Sequence, residues 1–336
     1  MEDVLVLGIE TSCDETAASI VKNGREILSN IVNSQVRIHQ LFGGVVPEVA
    51  SRKHIENIAP VVNSAFAEAG LSYQHIHAVA VTTMPGLVGS LLVGLSFAKA
   101  FAYGLNLPLI AVNHLHGHIY ANFLEHDDIV FPAVCLVVSG GHTSLLYMKG
   151  INDFDIIGST KDDAAGEAFD KVARFLGLGY PGGPAIEKAA HQGQAGRYHL
   201  PRVYLDRTDF EFSFSGLKTA VMNLSKKMEK SGDYRVEDLA AEFQAALVEV
   251  LVEKTIRAAE RYNVNTILLA GGVAANQDLR TMLKVSAKKS QINLFFPSLS
   301  LCTDNAAMIA GNAYHAYING NFAPLNTNTH PSLYSL

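Results

Sequence analysis

Apolar and polar positions fall in blocks along this chain, and the blocks read as strands and helices. Val4 to Ile9 is an unbroken apolar run, the mark of a central strand buried on both faces. It leads into Glu10-Thr11-Ser12-Cys13-Asp14-Glu15-Thr16, a turn rich in hydroxyls and acids, where Thr11 and Ser12 are a candidate phosphate turn. Ala17 to Val21 reads as a second strand, Asn23-Gly24 as a hairpin turn, and Ile27 to Ser34 as a third strand. A helical spacing then runs through Glu48, Ala50, His54 and Ile58. Ile76 to Thr83 is the next strand, followed by a Pro85-Gly86 turn and a helix to about Tyr103. Pro108 to Val112 is a further buried strand, and Asn113 onward opens a helix.

The second half repeats this alternation, as an α/β sheet requires. Asp162 to Leu176 has a helical pattern carrying Glu167, Asp170, Lys171 and Arg174. The glycine- and proline-dense stretch Gly177 to Pro184 makes a rigid loop, with the next helix expected to start near Pro184. Phe210 to Ala220 reads as a strand entering a helix, and Asp238 to Tyr262 as one long amphipathic helix. Asn265 to Leu269 is a strand, then Ala270-Gly271-Gly272-Val273-Ala274-Ala275-Asn276 turns into a helix, a corner suited to phosphate or adenosine. Leu294 to Pro297 is the last strand, and Thr303 or Asp304 is expected to cap an alanine-rich helix.

Two segments resemble one another. Val4 to Ser12 and Ala133 to Tyr147 are each an apolar strand followed by a small or hydroxyl-bearing turn, about 130 residues apart, and the later one continues into a second strand. The repeat suggests two similar domains around a central cleft. In the later copy the turn is Ser139-Gly140-Gly141, whose glycines let backbone N–H groups approach a phosphate.

Composition narrows the class. A chain of 336 residues, 49% apolar and 17% charged, has length for two domains and enough apolar surface for two cores. A net charge of −6 argues against a self-sufficient nucleic-acid binder, so any nucleic-acid contact would need a local basic patch or a partner. Arg37, His39, Arg52, Lys53 and His54 form such a cluster, readable as a solvated face or as part of a phosphate-backbone footprint. Cys13, Cys135 and Cys302 are far apart, which fits a reducing, cytoplasmic setting better than a disulfide framework. The acidic start Met1-Glu2-Asp3 runs into a strand and does not read as a signal peptide. Ala78 to Ala98 lacks charge, but its Pro85, Gly86, Gly89 and Gly94 suit a strand, turn and buried helix rather than a membrane span.

The chemistry concentrates in Asn113-His114-Leu115-His116-Gly117-His118. On a helix, residues four apart share a face, so His114 and His118 point the same way and can grip one divalent metal. A pair of core histidines is the plain alternative. Leu115 occupies the position where a zinc protease of the H-E-x-x-H type carries its glutamate, which removes that reading. Asp304, just past a strand end, is the candidate third ligand.

Taken with Gly43-Gly44-Val45-Val46-Pro47-Glu48, Leu136 to Thr143, Glu167 to Lys171, Tyr180 to Pro184, Ser213 to Lys218, Gly271 to Asn276 and Cys302 to Asn305, these motifs resemble the bacterial tRNA N6-adenosine threonylcarbamoyltransferase family, formerly described as O-sialoglycoprotein endopeptidases, within the actin/hexokinase/Hsp70-like ATPase superfamily. The resemblance implies two duplicated RNase H-like lobes, expected here as 1–112 plus 308–336 and 113–307. It implies transfer of the threonylcarbamoyl group from threonylcarbamoyl-AMP to the N6 amine of the adenosine 3′ of the anticodon in tRNAs reading A-starting codons. It places the metal, Fe2+ or else Zn2+, on His114, His118 and Asp304. Substrate contacts fall on Val137, Val138, Ser139, Gly140, Gly141, Asp170, Gly183, Glu187 and Asn276. A smaller paralogous subunit and a P-loop ATPase are the implied partners, and no membrane is involved. No residue is assigned as catalytic. Met84 departs from the family's usual glycine before Pro85-Gly86. Two other readings of the fold remain: an ATPase or small-molecule kinase, and a non-catalytic tRNA-binding scaffold. A magnesium-dependent kinase would want oxygen ligands, so the histidine pair favours the transferase.

Overall fold

The apolar run near the N-terminus becomes β1 (Leu5–Glu10), the middle strand of a five-stranded sheet. The computed structural model describes residues 3–203, 208–231 and 235–331. β2 (Glu15–Lys22) and β3 (Glu26–Ser34) follow as an antiparallel meander, turned at Asn23 and Gly24, both with positive φ as that hairpin requires. A short helix α1 (Val36–His39) leads to the long α2 (Pro47–Ala69), which starts with Pro47 in its first turn. β4 (Ala78–Met84), α3 (Val88–Leu105), β5 (Leu109–Asn113) and α4 (His114–Glu125) complete this half. β4 and β5 add in parallel, giving the order β3-β2-β1-β4-β5. Leu7, Ile9, Ile20, Val79 and Val81 meet Ile58, Val62 and Phe66 of α2 and Leu95 of α3 in one core.

The second half repeats the plan. β6 (Ala133–Val138), β7 (Thr143–Gly150) and β8 (Asp153–Ser159) form a meander, followed by α5 (Ala165–Phe175), α6 (Gly182–Ala190), α7 (Ser215–Ser231) and α8 (Val236–Arg261). β9 (Thr266–Ala270), α9 (Gln277–Lys289) and β10 (Asn293–Phe295) follow. The sheet order is β10-β9-β6-β7-β8, which is the first sheet's order strand for strand, with the same parallel and antiparallel pairings. The duplication read from the two strand-turn segments is therefore real, and it makes the chain a doubled RNase H-like α/β protein. The chain then returns with α10 (Leu299–Cys302) and α11 (Ala307–Ile318), and α11 packs on β1 and α4.

Three expectations are corrected. The compact units are Met1–Asp127 with Pro297–Leu336, and Asp128–Phe296, not 1–112 plus 308–336 and 113–307. The reason is packing: α4 lies against α11, where Gly117 leaves room for Ile309 and Met308, so the histidine helix stays with the first sheet. α6 begins at Gly182, ahead of Pro184, because Gly182 N–H is held by the Asp170 carboxylate at 2.7 Å. Neither Thr303 nor Asp304 caps α11, and Asn305 Oδ1 instead accepts from Met308 N–H at 3.1 Å. Among the described residues, α3 is the one helix long and apolar enough to cross a membrane, and its Leu91, Leu95, Ala98 and Ala102 are buried in this unit.

Candidate metal centre

The site is built at the carboxyl ends of three adjacent parallel strands, where open α/β sheets place their ligands. β1 ends at Glu10, its neighbour β4 carries Thr82, and β5 ends at Asn113. Asn113 caps α4: its Oδ1 accepts from Leu115 N–H at 2.8 Å and His116 N–H at 3.4 Å. The cap makes His114 the first helical residue and puts His118 one turn on, both buried. Asp304 sits between α10 and α11, freed from capping by Asn305.

His114 Nε2 lies 3.1 Å from His118 Nε2 and 3.5 Å from Asp304 Oδ1, and His118 Nε2 lies 3.2 Å from the same oxygen. Ligands around a four- to six-coordinate ion at bond lengths of about 2.0–2.1 Å stand about 3.0–3.4 Å apart. Two of the three separations fall in that range and the third, 3.5 Å, lies just beyond it, so the atoms stand close to the spacing of three ligands on one ion. Two ring nitrogens cannot face each other in a buried site as bare lone pairs, so either a proton on one of them, making an N–H···N hydrogen bond, or a metal ion must lie between them. The donor set of two imidazoles and a carboxylate suits iron or zinc and not magnesium.

Charge follows this geometry. Burial opposes a cation on His114, but Glu10 first and Asp304 second overcome it and raise its pKa well above the usual histidine value. Burial, then His114, lowers that of His118. Burial opposes the Asp304 carboxylate, yet His114 and then His118 hold its pKa below the usual range. In the ion-free protein a proton on His114 thus does part of what a divalent ion would do. His116 belongs to the helix but not to the ligand set.

The other predicted residues divide between two places. Thr11 and Ser12 are buried and spend their polar groups internally: Thr11 Oγ1 donates to the Ser90 carbonyl at 2.9 Å, and Ser12 Oγ lies 3.2 Å from His114 Nδ1. His39 and His54 are fully buried, and His54 Nδ1 lies 2.8 Å from Thr16 Oγ1, so these two drop out of any phosphate footprint.

The expected substrate residues gather within the second unit. Val137 and Val138 end β6 inside the sheet, and Gly140 and Gly141 are exposed in the turn beyond. Gly166 of α5 packs on the Ser139 carbonyl. Gly271, at φ 91°, presses on the Val138 carbonyl, where a Cβ would clash. Asp170 holds Gly182 beside Gly183, and Glu187 Oε1 accepts from Gln277 N–H at 2.7 Å, next to Asn276. Asn276 is locked twice: Leu279 N–H donates to its Oδ1 at 2.9 Å, and its Nδ2 donates to Gln244 Oε1 at 2.9 Å. Sequence reasoning missed Gln244 and, in the first unit, the structural part played by Glu10. The available signal was a carboxylate directly ending an otherwise apolar strand.

A doubled α/β unit with a candidate His-His-Asp metal centre places the chain among proteins of the actin-like ATPase fold. Solved structures agree on the fold: HypF from T. kodakarensis superposes with a TM-score of 0.63 at 15% identity, covering 96% of this chain and 49% of that one. The activator of 2-hydroxyisocaproyl-CoA dehydratase from Clostridium difficile gives 0.55 at 14% identity, covering 94% and 97%. The chain spans about half the length of HypF. The family model for tRNA N6-adenosine threonylcarbamoyltransferase (TsaD) matches residues 26–311. Enzymes of that name from Syntrophomonas wolfei and Bacillus subtilis are 70% and 55% identical, with 100% and 99% of this chain and 99% and 96% of theirs aligned. The chain belongs to this family of transferases, which act on the N6 amine of a tRNA adenosine.

Proposed function

We propose that the chain carries out this transfer with threonylcarbamoyl-AMP as donor and the adenosine 3′ of the anticodon, in tRNAs reading A-starting codons, as acceptor. The adenine N6 attacks the carbamoyl carbon, the bond from that carbon to the AMP phosphate oxygen breaks, AMP leaves, and the N6 proton passes to solvent or a base. The donor is already an activated mixed anhydride, so no covalent enzyme intermediate is needed. His114, His118 and Asp304 would hold one divalent ion, iron in preference to zinc. When bound, that ion supplies Lewis-acid polarisation of donor oxygens and charge stabilisation. The turn Val137 to Gly141, with Asp170, Gly183, Glu187 and Asn276, would hold the donor in position through backbone N–H groups and fixed acceptors. The observation that carries the reading is the convergence of two Nε2 atoms and one carboxylate oxygen within 3.1–3.5 Å.

A smaller paralogous subunit and a P-loop ATPase complete the proposed machinery in the cytoplasm. The net charge of −6 supports a need for them, since the chain alone should bind tRNA weakly and with a shallow salt slope. The test combines elemental analysis of purified protein with mass spectrometry of tRNA nucleosides in a reconstituted system. A transition metal in the wild type, and loss of both metal and modified adenosine in His114→Ala, are expected. Metal-free protein of full activity, or an unimpaired His114→Ala, overturns the reading.

A further inference from the structure

A carboxylate with no accessible surface ends β1. Glu10 lies in a strand whose preceding four residues are all buried, and burying such a charge costs several kcal/mol unless it is paired and hydrogen-bonded. Its partners are all in place. Oε1 accepts from Ser12 N–H at 2.5 Å. Oε2 accepts from Thr82 Oγ1 at 2.6 Å and lies 3.0 Å from His114 Nδ1. Three neighbouring strands supply this arrangement: β1 carries Glu10, β4 carries Thr82, and His114 follows β5 directly. The backbone of the sheet, rather than a mobile loop, fixes the carboxylate.

The consequence falls on the imidazole. A histidine ring has two nitrogens, and either can ligate an ion; the hydrogen bond made by one decides which is left for the other. With Glu10 on Nδ1, the His114 Nε2 is the free lone pair, and it is Nε2 that faces His118 and Asp304. His118 is different: its Nδ1 is buried and has no hydrogen-bond partner among the described residues. Only one of the two rings has a carboxylate on its Nδ1. We propose that Glu10 is the positioning residue of the metal centre, holding His114 as the Nδ1–H tautomer with Nε2 aimed at the ion, while Thr82 and Ser12 hold Glu10.

This inference rests on the reading of His114, His118 and Asp304 as metal ligands. The probe is Zn2+ alone, added to metal-free full-length protein. Affinity is read by competition with a chromophoric chelator, and the His114 ring is read by NMR of protein labelled with 15N-histidine. The wild type should show Zn2+ on Nε2 and a hydrogen-bonded proton on Nδ1. Glu10→Gln should lower Zn2+ affinity by about 10–100-fold and move the Nδ1–H resonance. Thr82→Val, which touches neither ion nor ligand, should give a smaller loss in the same direction; it decides the matter if Glu10→Gln does not fold. Unchanged affinity and an unmoved resonance in a folded variant, or Zn2+ on Nδ1 in the wild type, overturn the proposal and leave the metal site standing. Failure of the wild type to bind Zn2+ at all overturns the ligand reading itself.

Discussion

The two halves of the molecule share a sheet order and differ in what stands at the end of the middle strand. In the first half β1 ends in Glu10, and the turn beyond it holds buried Thr11 and Ser12, with Glu10 and Ser12 both against the Nδ1 of one histidine. In the second half β6 ends in Val138, and the turn beyond it is Ser139-Gly140-Gly141, with both glycines exposed and neither carrying a side chain to fill the space. One copy presents a candidate grip for an ion built from side chains. The other presents exposed backbone, which in the proposed reading offers N–H groups and carbonyls to the donor. Duplication supplied the same strand ends twice, and a few residues after each strand decided their chemistry.

This contrast can be broken at four points, of falling size. His118→Ala removes one of the three proposed ligands. It should leave the purified protein without stoichiometric metal, and reduce tRNA modification by at least about 100-fold; metal content by elemental analysis checks it. Gly271→Ala places a methyl group against the Val138 carbonyl at a φ that alanine tolerates poorly. It should cost about 2–4 kcal/mol of stability, read from chemical denaturation, while metal binding in the first unit persists.

The third is a pH dependence. In the ion-free protein the His114 pKa is raised above its unfolded value, so its stabilising contribution is fully present below about pH 6.5 and is lost as pH rises through the higher folded value. Metal binding must displace that proton. Zn2+ affinity should therefore fall as pH falls, by up to about tenfold per pH unit, and calorimetry in buffers of different ionisation heat should detect proton release. The smallest effect is Gly140→Ala. A Cβ there meets nothing within 4 Å, so stability should change by no more than about 0.5 kcal/mol, read from the same denaturation experiment.

Local period explains what the sequence revealed. Strands β1 and β6 are legible because burial on both faces leaves an unbroken apolar run. His114 and His118 are legible as a pair because helical spacing is a property of neighbouring residues, and Asn113 announces the helix start. The substrate residues came from resemblance to a family, since Asp170 or Glu187 alone reads as a surface carboxylate. What was missed depends on contacts between distant segments. The unit boundary was misplaced because α4 is held by α11, nearly two hundred residues later, through the gap at Gly117. Asp304 was expected at a helix cap because acids suit caps; Asn305, its neighbour, holds that position instead. Glu10 read as one acid in a polar turn, because nothing local says that Thr82 and His114 converge on it.

The first unit is assembled from both ends of the chain, with the whole second unit intervening. Two of the three candidate metal donors, His114 and His118, precede the second unit along the chain, and Asp304 follows it. The candidate set is therefore incomplete on any chain that stops short of the return from the second unit. If these three residues hold the ion, the complete donor set exists only after the whole second unit has been translated.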